Sequence, residues 1–207
     1  MRLRPVLQNL MTKTSRPLGS VIVMLCCLFA VSGSAQPKGD IKIHGHWKIE
    51  VRGADGSLVS RTEFENALAA GSGTKILSQL LARKATQGYW EVDLYGGPND
   101  VICTPYTSAH VCVITEPGTS FFADSRNLTL TPDQGPATFT VSGSVAAQHD
   151  ANILWVATAL HICPITSAPA TPCSEPTSQI FTTASLSPAV SVVAGQTIQV
   201  TITFGYS

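Results

Sequence analysis

Thr197-Ile198-Gln199-Val200-Thr201-Ile202-Thr203-Phe204-Gly205-Tyr206 sets an apolar side chain at every second position, with threonine, glutamine or glycine between. Successive strand residues point to opposite faces, so this period of two predicts a strand with one face on a core and the other in water. The wet face is made of threonine rather than lysine or glutamate. A β-branched hydroxyl side chain fits the pleat and stays soluble without charge. The same habit extends upstream: no Lys or Arg follows Arg126, and positions 127–207 hold only Asp133, Asp150 and Glu175 as charges. Of those 81 residues 22 are Ser or Thr, which favours a threonine-faced sheet over a disordered linker. Candidate strands in this half are 127–131, 138–146, 152–162, 180–183, 189–193 and 197–204, several of them separated by turn clusters such as Pro-Asp-Gln-Gly-Pro at 132–136 and Val-Ala-Gly-Gln at 193–196.

Working towards the N-terminus, 43–52 alternates Ile43, Gly45, Trp47, Ile49 and Val51 with His44, His46, Lys48, Glu50 and Arg52. The turn signal Ala54-Asp55-Gly56-Ser57 follows, and 58–64 reads as the returning strand of a hairpin. After Gly71-Ser72-Gly73 the period changes: Ile76, Leu77, Leu80 and Leu81 gather on one face of a helix expected at about 74–84, with Ser72 or Thr74 as its cap and Lys84 in its last turn. Further strands are expected at 89–94, 101–103 and 112–115. The spacing of strands and turns predicts a mainly β protein, an antiparallel β-sandwich with one short amphipathic helix. A single domain over 36–207 is expected, with an N-terminal hairpin and helix at 41–84 and a strand array at 89–207.

The chain of 207 residues balances 13 Lys and Arg against 13 Asp and Glu. Four of the basic residues, Arg2, Arg4, Lys13 and Arg16, precede an apolar run at 21–31, and Ser32-Gly33-Ser34-Ala35 then offers small residues for cleavage. These features predict a signal peptide over 1–35 and export to the periplasm, the cell surface or the medium. The run is shorter than the roughly 20 residues that span a bilayer, so no stable membrane span is expected after cleavage. Removal leaves nine basic against 13 acidic side chains. The absence of a basic surplus argues against a nucleic-acid partner. Four cysteines follow the cleavage point, Cys103, Cys112, Cys163 and Cys173, and an even number in an exported chain favours disulfides. Three pairings exist; Cys103 with Cys112 and Cys163 with Cys173 is preferred, because each pair encloses a short loop rich in turn formers.

Catalytic motifs are lacking. There is no G-x-S-x-G elbow, no H-E-x-x-H helix and no phosphate-cradling glycine loop, so a non-enzymatic protein without a cofactor is expected. His44 and His46 share a strand face and are the candidate metal ligands, although nothing in the spacing supplies a third. His149-Asp150 reads as a turn and His161 as a partly buried, hydrogen-bonded histidine. Trp47 and Trp155 fall in the apolar phase of their strands and are expected in the core. Two acid pairs, Glu63 with Glu65 and Glu91 with Asp93, read as solvated strand faces. Tyr89, Tyr95 and Tyr106 remain as an exposed aromatic set on which a sugar could stack. Asn127-Leu128-Thr129 is a formal glycosylation sequon.

Trp47 to Arg52, Asp55-Gly56 and Phe64-Glu65-Asn66 resemble an uncharacterised family of exported bacterial β-sandwich proteins. Phe64-Glu65-Asn66-Ala67-Leu68, then Gly71, a short helix ending in Leu80-Leu81 and a strand at 90–94, closed by Val193-Ala194-Gly195-Gln196 and a final strand, are similar to small phage tail and tail-fibre accessory proteins. The resemblance implies a structural or binding role and supplies no catalytic residue. The expected function is therefore an exported β-sandwich with a structural or binding role at the cell surface or in the periplasm, with a glycan-binding module or a phage-tail-like structural component as alternatives. Partners of protein or glycan nature fit this reading. So does self-association, because threonine-faced strands without edge lysines can pair edge to edge.

Overall fold

The computed structural model describes residues 42–103, 111–116, 127–132, 137–165 and 177–206, all within one unit, Asp40–Ser207. In chain order the elements are β1 (Ile43–Arg52), β2 (Leu58–Ala67), α1 (Ser72–Leu81), β3 (Ala85–Gly96), β4 (Val111–Thr115), β5 (Thr129–Pro132), β6 (Thr138–Ala146), β7 (Ala151–Pro164), β8 (Thr177–Val192) and β9 (Thr197–Tyr206). They form two antiparallel sheets, one ordered β2-β1-β9-β6-β5 and the other β4-β3-β7-β8. The mainly β, antiparallel sandwich with one short helix is the architecture expected from the periodicity.

The final strand organises the first sheet. In β9, Ile202 lies opposite Trp47 of β1 on one side and Val141 of β6 on the other, so β9 joins the β1–β2 hairpin to β6. Its alternate residues Ile198, Val200, Ile202 and Phe204 are buried, together with Trp47, Ile49 and Val51. From the second sheet Trp90, Val92 and Leu94 of β3 and Val156 and Leu160 of β7 meet them. Trp90 forms the aromatic centre, edge-on to Phe181 at 5.1 Å and 5.4 and 5.5 Å from Phe204 and Phe139. Each such ring pair contributes about 0.5–1.5 kcal/mol beyond the area it buries.

Four local expectations are corrected. The helix runs over Ser72–Leu81 rather than 74–84, and neither Ser72 nor Thr74 caps its N-terminus: Gly71, at φ 83°, occupies the cap position, and the Thr74 hydroxyl donates to the Gly71 carbonyl instead of accepting from a first-turn amide. Arg83 in the left-handed region ends the helix early, which puts Lys84 outside it. Residues 101–103 are not a strand; Ile102 is buried, and its carbonyl accepts from the Gln148 amide at 2.8 Å. The two strands expected at 180–183 and 189–193 are one, β8; the Ser187-Pro188 step lies in a bulged stretch, 186–189, that has no partner in β7, and pairing with β7 continues on either side of it. Trp155 is not a core residue. A bulge between Ile153 and Trp155 shifts the phase of β7, sending Ile153 inward and leaving Trp155 half-buried on the outer face beside Tyr95.

Cys103 and Cys112 are joined, with Cα atoms 5.3 Å apart, tying the chain after β3 to β4. Cys163 is also in the disulfide form; its expected partner Cys173 lies outside the described residues. No helix among the described residues is long and apolar enough to cross a membrane.

Candidate functional site

The strand faces sort the sequence-expected residues into separate places. His44 and His46 project from the outer face of β1. His46 Nδ1 lies 2.8 Å from Glu65 Oε1 of β2, while His44 has Ala67 and Gly205 as its neighbours in register, so no third donor stands beside it. Among the described residues no three His, Cys, Asp or Glu side chains converge as a metal site. Asp150 accepts from the Ala194 amide at 2.9 Å, which makes His149-Asp150 part of a tied turn. The sequon Asn127 is engaged as well: its amide accepts from the Ser144 backbone N–H and donates back to the Ser144 carbonyl. On the same outer face Glu50 is surrounded by Lys48, Arg52 and Arg61, and the hydrogen bond from Arg52 holds its carboxyl below the ordinary value despite its burial.

An apolar cavity of about 280 Å³ opens where the two sheets meet α1. Its depth is formed by Trp90, Phe139, Phe181 and Leu160, its side by Leu77 and Leu80 of the helix, and Ile43, Leu130, Gln87 and Tyr206 complete the wall. The helix is placed there by Gly73, where a Cβ would come within 2.6 Å of the Phe181 carbonyl; only glycine lets the first turn lie against β8. Leu77 and Leu80 then reach the core from one helical face. Gln87 and Tyr206 bring polar side chains to a wall that is otherwise apolar.

The third place is the outer face of the second sheet. Because Trp90, Val92 and Leu94 point inward, Tyr89, Glu91, Asp93 and Tyr95 point outward, and β7 sets Tyr95 opposite Trp155, Asp93 opposite Ala157 and Glu91 opposite Ala159. This face is far from solvated: Glu91 is 8% exposed, Asp93 6% and His161 8%. His161 Nε2 meets Glu91 Oε2 at 2.9 Å, Tyr89 stacks on the imidazole with centroids 3.9 Å apart, and the Tyr95 hydroxyl donates to Asp93 Oδ2 at 3.3 Å. Burial pushes the Asp93 carboxyl well up, reinforced by the charge of Glu91, and raises Glu91 too; it depresses His161 to about 4. Burial likewise drives Tyr89 up to about 12. Asp93 Oδ1 and His161 Nδ1 are buried without a hydrogen-bond partner.

Of the tyrosines expected as stacking platforms, Tyr89 is therefore buried against His161 rather than exposed, Tyr95 is half-buried against Trp155, and Tyr106 lies outside the described residues. His161 was legible as a buried histidine. Glu91 and Asp93 were not, because two acids at alternate positions carry the same signature whether water or protein faces them. The long-range signal was the pair of alanines at 157 and 159 on the same phase as His161, too small for an outward face that merely meets solvent.

The chain matches no known protein-family model, no curated protein and no solved structure.

Proposed function

We propose that the chain is an exported, non-enzymatic β-sandwich binding module of the cell surface or periplasm, and that its ligand is a small apolar molecule taken up at the mouth between α1 and the two sheets. The observation that carries this reading is the cavity floored by Trp90, Phe139 and Phe181. An apolar space beside Trp90 and Phe181 forfeits packing contacts when nothing fills it, which costs stability. Its volume of about 280 Å³ lies just under the lower end of ligand cavities, about 300–1,000 Å³, which favours a short acyl chain or a single aromatic ring. The disulfide between Cys103 and Cys112 suits an oxidising compartment.

The test uses tryptophan fluorescence, to which Trp90 contributes from the cavity and Trp47 and Trp155 from outside it. Titration of the purified chain with n-octanol is expected to shift the emission saturably, and Leu80→Phe, which narrows the mouth without adding an indole, is expected to abolish the shift while the chain stays folded. Emission that follows bulk solvent composition in both proteins would reject the reading.

Among the described residues the glycan alternative retains the aromatic pair Tyr95 with Trp155, whose centroids are 4.0 Å apart on the half-buried outer face. Quenching of Trp155 by a polysaccharide, absent in Trp155→Leu, is its expected mark.

A further inference from the structure

The acids of this chain are treated in two ways. Glu50 sits among three cationic side chains on the first sheet. Glu91 and Asp93, equally buried on the second, have none among the described residues: they share a hydrogen bond with each other, and their other partners are His161, held neutral, and Tyr95. The strands of this face supply no cation, since no Lys or Arg occurs in β3, β4, β7 or β8. Buried carboxylates are ordinarily paired, and a buried acceptor left unmatched costs about 1–3 kcal/mol.

Two acceptors are left unmatched here, Asp93 Oδ1 and His161 Nδ1, the latter bearing a lone pair when Nε2 donates to Glu91. Aromatic rings stand on both sides of the acids: Tyr89 stacked on His161 towards one end of the strand pair, Tyr95 against Trp155 towards the other. Ring faces attract cations, and an ammonium group carries three rotatable donors with a positive charge. We propose that this face, between Tyr89 with His161 and Tyr95 with Trp155, is a binding site for the primary ammonium group of a small organic amine, held by Asp93 and Glu91 with His161 Nδ1 as a further acceptor.

Without a ligand, burial and the neighbouring charge of Glu91 favour the protonated form of Asp93. Entry of the amine exchanges that proton for another positive charge, so the buried face keeps its net charge while both orphan acceptors gain donors. Proton and amine compete, and affinity rises with pH until the amine itself loses its proton. The titratable groups facing Asp93 are Tyr89, Glu91 and Tyr95 of β3 and His161 of β7; in register beyond them, β4 contributes Val113 and Thr115, and β8 contributes Thr183 and Ser178. The site is separate from the apolar mouth and does not depend on it.

Calorimetric titration of the purified full chain with n-butylammonium chloride near neutral pH, in two buffers of different ionisation heat, tests the site. Saturable binding with release of about one proton per amine is expected. Asp93→Asn, which copies the shape of the protonated acid, is expected to unfold at a temperature no lower than the parent's and to weaken binding about tenfold or more. Absence of binding, binding without proton release, equal binding of tetramethylammonium, which has no N–H, or binding of magnesium chloride in place of the amine would each overturn the proposal. The proton count is read on the unaltered chain and needs no variant.

Discussion

At the scale of single residues, the outer face of the second sheet makes stability depend on pH in two opposed senses. His161 titrates at about 4 in the fold against an ordinary 6.5. Between those values the unfolded chain binds a proton that the folded chain refuses, so stability falls as pH drops from 6.5 towards 4. Asp93 and Glu91 are raised, so the folded chain holds protons that the unfolded chain has released, and stability falls as pH rises from the ordinary carboxylate range through their raised values. His161→Gln is thus expected to gain on the unaltered protein progressively below pH 6.5, and Asp93→Asn to gain progressively as pH rises. Urea denaturation across the pH range measures both. A gap between His161→Gln and the parent that stays constant from neutral to acid would contradict burial as the cause. Glu50 behaves in the usual way for a paired acid: its contribution is present above 4.5 and is lost as pH falls through its lowered value.

Elements show where sequence patterns succeed and where they stop. The strands β1, β6 and β9 were legible almost to the residue, because one face is uniformly apolar and the other uniformly polar, and any slip of one residue would exchange the faces. β8 was read as two pieces, since Ser185 to Pro188 carries turn composition, and 186–189 do leave the ladder with β7 as a bulge, although the strand resumes its pairing at Val190. The helix was legible from Ile76, Leu77, Leu80 and Leu81, but its ends were not. They depend on the left-handed backbone at Gly71 and Arg83, and on the close approach of Gly73 to Phe181, which is a tertiary fact. Gly73→Val therefore tests what positions the helix. With its Cβ site 2.6 Å from the Phe181 carbonyl, the added side chain must lift the first turn off β8. A loss of about 1–3 kcal/mol in thermal unfolding is expected, together with weaker uptake of apolar ligand, because Leu77 and Leu80 move with the helix. Undiminished uptake in Gly73→Val would remove α1 from the account of the mouth.

On the scale of the whole molecule, composition suggests a charged N-terminal half and an uncharged C-terminal half, each presenting its own surface. Pairing of β1 with β9 merges them: Lys48 faces Thr201, Glu50 faces Gln199 and Arg52 faces Thr197 across one sheet. Nothing local in either segment announces this partnership, since strands that alternate cleanly pair equally well with many others. What selects it is the shared core, in which Trp47, Ile202 and Val141 occupy one row across three strands and are all fully buried. A strand hydrogen-bonded on both sides also links β2 and β1 to β6 and β5, so damage to its inner face reaches the whole first sheet. Ile202→Ala is expected to cost about 2–5 kcal/mol, because neighbours held in a row cannot collapse into the space it leaves. Thr201→Ala, one residue away on the outer face and only partly buried, is expected to cost no more than about 1 kcal/mol. Denaturant unfolding of the two variants measures the difference. Similar losses in both would mean that pairing, rather than the buried row, is what secures β9 between its neighbours.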